Sequence, residues 1–153
     1  MKKIEIFTDG ACLGNPGPGG WAAILKFGEH EKEISGFEPE TTNNRMELTA
    51  VIKALEKLKE PCEIHLYSDS KYVCDTISKG WAENWRANGW HKGDRKPALN
   101  VDLWEKVLLL IENNRISISW VKGHSGHPEN ERCDELALTQ AEKIKKRILR
   151  LSE

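Results

Sequence analysis

The stretch Ile4-Glu5-Ile6-Phe7-Thr8-Asp9-Gly10 reads as a short strand that ends on a carboxylate and a glycine. β-Branched and aromatic residues favour the pleated conformation, and the Asp-Gly pair stops it. Residues 10–20 follow with five glycines and two prolines. Glycine admits positive φ and proline removes a donor, so this run reads as a loop outside any sheet. It serves either as a long hairpin connection or as backbone that a ligand approaches closely. Whatever this chain folds into must place an acidic strand end beside that run.

The chain beyond it alternates strand and helix patterns. Trp21 to Phe27 and His30 to Phe37 read as strands joined by a Gly28-Glu29 turn, which makes an antiparallel meander. Met46, Val51, Ala54, Leu55 and Leu58 carry the i, i+3, i+4, i+7 stripe of an amphipathic helix that Pro61 ends. Asn44 and Glu47 have capping-box spacing, so Glu47 is either a cap or free for chemistry. Cys62 to Ser68 reads as the fourth strand, with His65 packed or exposed within it. Asp69-Ser70 then caps a short helix from about Lys71 to Ser78. Asn100 opens a helix with Leu103, Trp104, Val107, Leu110 and Ile111 on its apolar side. Arg115 to Val121 reads as the fifth strand, residues 122–127 as a loop, and Pro128 as the first residue of the last helix. Cys133, Leu136, Ala137, Ala141, Ile144 and Ile148 form that helix's buried stripe, and its basic end, Lys143 to Arg150, suits the helix dipole.

A length of 153 residues, 39% hydrophobic and 31% charged, suits one globular domain with one core. No apolar run approaches a membrane span, and Met1-Lys2-Lys3-Ile4 does not open a signal peptide. Cys12, Cys62, Cys74 and Cys133 form no CxxC pair, which points to reduced thiols and a cytoplasmic protein. A net charge of −1 does not by itself suggest a nucleic-acid partner, so the placement of charge matters. Residues 79–96 carry a local charge of +3, from Lys79, Arg86, Lys92, Arg95 and Lys96 against Glu83 and Asp94. Trp81, Trp85 and Trp90 are interleaved there, and basic residues among aromatics suit nucleic-acid backbone and sugar contacts. The alternative is a helical excursion whose tryptophans pack on one another.

Topology then brings the carboxylates together. In the meander the third strand is parallel to the first, so the first long helix begins at the first strand's carboxyl edge. Right-handed crossovers make the fourth and fifth strands parallel to it as well. Asp9, Glu47, Asp69 and Asp134 thereby meet where open α/β sheets place ligands. Such crowding raises each carboxyl pKa unless cations are bound, and all-oxygen ligands suit Mg²⁺ or Mn²⁺ rather than zinc. A zinc site from His124, His127 and Cys133 is the weaker alternative.

These residues resemble type 1 ribonuclease H in order along the chain. The matching blocks are Ile6-Phe-Thr-Asp-Gly10 with Cys12 to Gly20, Thr41 to Leu48, Ser68-Asp-Ser70, the tryptophan-rich basic excursion and Trp120 to Asp134. The resemblance implies an α/β fold over 1–153: a mixed five-stranded sheet in the order 3-2-1-4-5, strand 2 antiparallel, with helices on both faces. It implies a monomer that hydrolyses the RNA strand of RNA–DNA hybrids, leaving 5′-phosphate and 3′-hydroxyl ends. Asp9, Glu47, Asp69 and Asp134 would hold two Mg²⁺ ions, with Mn²⁺ as a substitute, and His124 would assist proton movement or product release. Cys12, Asn15 and Asn44 would lie near the RNA minor groove, and Gly10 would be a further substrate contact. Thr42, Asn43 and Arg45 match a pocket for a DNA phosphate. The excursion matches the family's handle, with Trp81 on the DNA side and Trp85 and Lys92 as further contacts. Ala11 replaces a frequent serine, and Lys71 replaces a glutamine near the RNA strand. Rival readings are another nuclease or transposase on the same fold, and a non-catalytic hybrid-binding module.

Overall fold

A computed structural model describes residues 1–123 and 126–152 of the chain. Strands β1 (Lys2–Cys12), β2 (Gly17–Phe27), β3 (His30–Thr41), β4 (Cys62–Ser68) and β5 (Arg115–Trp120) form one sheet in the order β3-β2-β1-β4-β5. β1 is antiparallel to β2 and parallel to β4, and β4 is parallel to β5. The expected topology is therefore present. The helices are α1 (Asn43–Glu56), α2 (Lys71–Ser78), α3 (Trp81–Ala87), α4 (Val101–Glu112) and α5 (Pro128–Leu151). Among the described residues no helix is long and apolar enough to cross a membrane.

Alternation along β1 and β4 divides the core between the two faces. Ile6, Ile64 and Leu66 point to one face, where α1 and α4 supply Leu48, Val51, Leu55, Trp104 and Val107. Phe7, Ala22 and Ile24 point to the other, where α5 supplies Cys133 and Ala137. Burying a side chain such as Leu48 contributes about 1.5–3 kcal/mol, so the apolar stripes rather than helix propensity fix where the helices lie.

The glycine-rich run is not a loop. β1 continues through Asp9 to Cys12 and β2 begins at Gly17, so most of residues 10–20 are paired strand. Pro18 is accommodated because the β2–β3 register shifts between Gly17 and Gly19. The glycines serve close packing. A Cβ on Gly20 would lie 2.1 Å from the Ala137 carbonyl, and one on Gly10 would lie 2.5 Å from the Glu47 amide. β3 likewise runs beyond Phe37 to Thr41.

Three boundary expectations are corrected. Thr42, not Asn44, caps α1, its hydroxyl accepting the Arg45 amide at 3.2 Å. α1 ends at Glu56 with Lys57 as its cap, ahead of Pro61. Ser70 rather than Asp69 caps α2, accepting the Val73 amide at 3.1 Å. Both acidic residues are thus released from capping. α4 is capped by no side chain, because Asn100 bonds elsewhere.

Candidate active site

The site forms where β1 and β4 pass the first turns of α1 and α2. Asp9 lies within β1 and is buried, with its Oδ1 accepting the Gly10 amide at 2.8 Å. The same amide donates to Glu47 Oε1 at 2.8 Å, so Glu47 is clamped against β1 from the second turn of α1. Asp69 follows β4 and is half-buried. Its carbonyl accepts Trp120 Nε1 at 2.9 Å, which ties the end of β5 to the site. Ligand oxygens of Asp9, Glu47 and Asp69 all lie within 4.8 Å of one another.

Electrostatics in this cluster follow from burial. Asp9 is pushed up to about 7, first by loss of water and then by the charges of Asp69 and Asp134; hydrogen bonds oppose the shift. Glu47 is raised well above the carboxylate range, by burial first and the Asp9 charge second. Glu47 Oε2 is buried with no hydrogen-bond partner. Among the described residues no donor reaches that oxygen, so a proton, a cation or a water has to satisfy it. Three close carboxylates with an orphaned oxygen fit a hard, oxygen-loving divalent cation.

Asp134 stands apart from this trio. It lies in the second turn of α5, half-buried, outside the 4.8 Å cluster but near enough for its charge to raise Asp9. α5 is held there by Cys133, whose buried Sγ donates to the Phe7 carbonyl at 3.4 Å. That bond and full burial take Cys133 out of any zinc site. The His124 assignment lies outside the described residues. His127 packs 6.3 Å from the Phe7 ring and 6.0 Å from the Tyr67 ring.

The remaining expected contacts fall into two groups, one at the start of α1 and one around α2 and α3. At the α1 side, Asn15 Oδ1 accepts the Asn43 amide at 2.9 Å, docking the β1–β2 turn onto the helix start. Cys12 Sγ donates to the Gly17 and Thr41 carbonyls at 3.5 and 3.4 Å. Asn43 and Asn44 are exposed. Arg45 is engaged already, forming a two-pronged pair with Asp102 at 3.0 and 2.7 Å and approaching Asn100 Oδ1 at 3.4 Å. At the α2 side, Lys71 Nζ sits 4.6 Å over the Trp120 ring. Trp81, Trp85 and Lys92 line a cavity of about 390 Å³ with Tyr72, Thr76 and Leu99. Trp81 is 40% exposed, whereas Trp85 meets Trp104 edge-on at 6.3 Å. Trp85 therefore packs on α4 rather than on another tryptophan of the excursion, and Trp81 stays partly exposed beneath Lys79.

Sequence reasoning missed the support around Arg45. Asn100 Nδ2 donates to the Tyr72 hydroxyl at 3.2 Å, and Trp104 Nε1 donates to it at 2.7 Å. Asn100-Val-Asp102 carries only the signal of a helix start, so the fold was needed to show that it faces Arg45.

Residues 1–142 match the family model described as RNase H. The chain belongs to the ribonuclease H family. It is 57% identical over 147 residues to the ribonuclease H of Agrobacterium fabrum, covering 96% of this chain and all of that one. The crystal structure of LC9-RNase H1, a type 1 RNase H with the type 2 active-site motif, superposes with a TM-score of 0.83 at 28% identity, over 93% of this chain and 73% of that one. LC11-RNase H1, solved in complex with an RNA/DNA hybrid, shares the fold at a TM-score of 0.66 and 24% identity, over 92% of this chain and 97% of that one. Membership makes this chain a ribonuclease H-type nuclease, and the carboxylate cluster sits at the heart of the matched region.

Proposed function

We propose that this ribonuclease H hydrolyses the RNA strand of RNA–DNA hybrids with Mg²⁺, or Mn²⁺ in its place, leaving 5′-phosphate and 3′-hydroxyl ends. The observation that carries this reading is the trio of Asp9, Glu47 and Asp69 within 4.8 Å, with Glu47 Oε2 unsatisfied. Asp134 completes the ligand set for two ions from α5. When bound, such ions supply an activated water and a counter-charge for the leaving oxygen.

The chain's own residues position the substrate. Cys12, Asn15 and Asn44 meet the RNA minor groove, which presents 2′-hydroxyls that DNA lacks, and Gly10 contacts substrate beside Glu47. Thr42, Asn43 and Arg45 offer helix-start amides and a guanidinium to a phosphate of the DNA strand. In this reading the phosphate takes the place of Asp102 on Arg45. Lys71 and Trp120 flank Asp69 toward the RNA strand, and Trp81, Trp85 and Lys92 hold the DNA strand. His124 moves a proton or eases product release. The protein works as a cytoplasmic monomer.

A cleavage assay with RNA–DNA hybrid, duplex RNA and duplex DNA, with and without Mg²⁺, tests this. Cutting confined to the RNA of the hybrid and dependent on Mg²⁺ is the expected result. Comparable cutting of all-DNA duplex overturns it.

A further inference from the structure

The end of α5 carries charge that the site described so far leaves unused. Lys143, Lys145, Lys146, Arg147 and Arg150 are all exposed, and among the described residues none of them is in a salt bridge. The helix dipole accounts for Arg150 alone, because its effect fades within the last turn. At about 100° per residue, Lys143, Lys146, Arg147 and Arg150 fall within an arc of about 100°. The buried stripe of Ala137, Ala141 and Ile144 occupies a different arc.

Among the described residues, no acidic group of a neighbouring element forms a salt bridge with this row. On β3, Glu33 is already paired with Arg132 at 2.9 Å. Glu38 and Glu40 line a cavity on the α1 side of the sheet. What β3 offers the row is the Phe37 ring, with the Arg147 guanidinium 5.3 Å above it.

The placement is equally specific. α5 starts against β1 through Cys133, passes β2 at Gly20 through Ala137 and Ala141, and reaches the outer strand β3 at Phe37 through Arg147. The tryptophan-rich excursion packs with α2 and α4 over the other half of the sheet. The excursion therefore lies toward β4 and β5, and the basic end of α5 lies toward β3 on the other face of the sheet, so the two clusters are on opposite sides of the carboxylates. From Asp134 to Arg147 the helix rises about 20 Å at 1.5 Å per residue. One nucleic-acid strand carries a phosphate about every 3.4 Å, so that span corresponds to about six nucleotides.

We propose that the basic end of α5 is a second nucleic-acid contact, which grips the phosphate backbone of a bound hybrid beyond the catalytic site on the side opposite the excursion. This rests on the hybrid-cleaving function proposed above. Charge complementarity argues for the occupant: an unpaired cationic row on a protein of net charge −1 faces a polyanion already held at its centre. Ala137, Ala141 and Ile144 are buried against the sheet, whereas Ile148, Leu149 and Leu151 at the same end are exposed, so acidic vesicles form the competing arm of the test. The contact lengthens the footprint without touching the reacting bond, so it favours long hybrids over short ones.

The test compares the parent protein with a Lys143→Gln/Lys146→Gln/Arg150→Gln variant, leaving Arg147 on Phe37. Both are assayed on a short hybrid ending about three base pairs either side of the cleavage site and on a long one extending about twelve, beyond the span of α5. Parent cleavage of both hybrids establishes the underlying activity separately. The variant should bind the long hybrid on the order of tenfold more weakly, with a salt slope flatter by up to about 2.7, and cleave the short one like the parent. A Lys143→Arg/Lys146→Arg/Arg150→Lys variant, which keeps the charge, should restore tight binding to the long hybrid. Equal affinity of parent and Gln variant for the long hybrid overturns the proposal. So does an equal loss on both lengths, or a loss seen only on vesicles of phosphatidylserine and phosphatidylcholine.

Discussion

The Gly10 amide and the Glu47 carboxylate meet at 2.8 Å across 37 residues of sequence, and this bond joins β1 to α1 at the carboxylate cluster. The approach leaves no space at position 10. A Cβ there would lie 2.5 Å from the Glu47 amide and 2.6 Å from the Met46 carbonyl carbon, both rigid backbone. Gly10→Ala should therefore destabilise the protein by about 1–3 kcal/mol and lose most cleavage, because α1 must shift and carry Glu47 with it. Urea unfolding alongside a hybrid-cleavage assay checks this; parent-like values for both would mean that the contact is slack.

Asp9→Asn separates function from fold. It removes one charge from the crowded cluster at nearly constant shape. Cleavage should be almost abolished, while stability in EDTA at neutral pH should equal or exceed the parent's by about 1 kcal/mol. Mg²⁺ should raise the melting temperature of the parent more than that of the variant, since binding to the native state alone stabilises it. A variant clearly less stable than the parent in EDTA would show that Asp9 is chiefly a hydrogen-bond acceptor for Gly10.

Without metal, stability should fall as pH rises from about 4 to about 7. Asp9 titrates near 7 in the folded protein and near 3.9 when unfolded, so the native state holds the extra proton between those values. Glu47 is raised in the same direction. Above the folded pKa values the penalty is constant. Glu33, Asp102 and Glu129 are depressed by their cationic partners, so their contribution is lost only as pH falls below about 4, outside this window. Denaturation midpoints in EDTA across the window should decline for the parent and decline less for Asp9→Asn. A flat profile for the parent would contradict the crowding.

Asp102 holds the guanidinium that a substrate phosphate would need. The pair is exposed enough for solvent to screen it, so Asp102→Asn should cost at most about 1 kcal/mol of stability. KM for hybrid should fall or stay level, whereas Arg45→Ala should raise it. Steady-state kinetics on the two variants decide the matter; a rise in KM for Asp102→Asn would mean that the aspartate orients Arg45 for binding rather than competing for it.

Lys92→Ala/Arg95→Ala/Lys96→Ala should raise KM more than it lowers kcat and should flatten the salt dependence of binding. Loss of kcat with an unchanged salt slope would assign the excursion a structural role.

Strand directions, helix faces and the convergence of Asp9, Glu47 and Asp69 could be read from the chain, because hydrophobic period and crossover handedness leave few topologies open, whereas the strand order came with the family resemblance. Ile64 and Leu66 face the core as their alternation requires, and Cys133, Ala137 and Ala141 face the sheet as the 3.6-residue period requires. Local spacing failed where two residues competed for one role. Asn44 and Asp69 have the chemistry of caps, but Thr42 and Ser70 hold those positions, and only backbone geometry distinguishes them.

Glycine was the largest misreading. Composition reports that residues 10–20 are permissive; it does not report that Ala137 lies against Gly20 or that Glu47 lies against Gly10. Residue types, their periods and the four acidic positions were determined by the sequence itself. Which amide clamps Glu47, which oxygen is left unsatisfied, and the capture of Arg45 by Asp102 were decided by the tertiary structure. Those features depend on ångström distances between segments far apart in the chain, and a sequence pattern encodes periodicity but not the depth at which two elements pack.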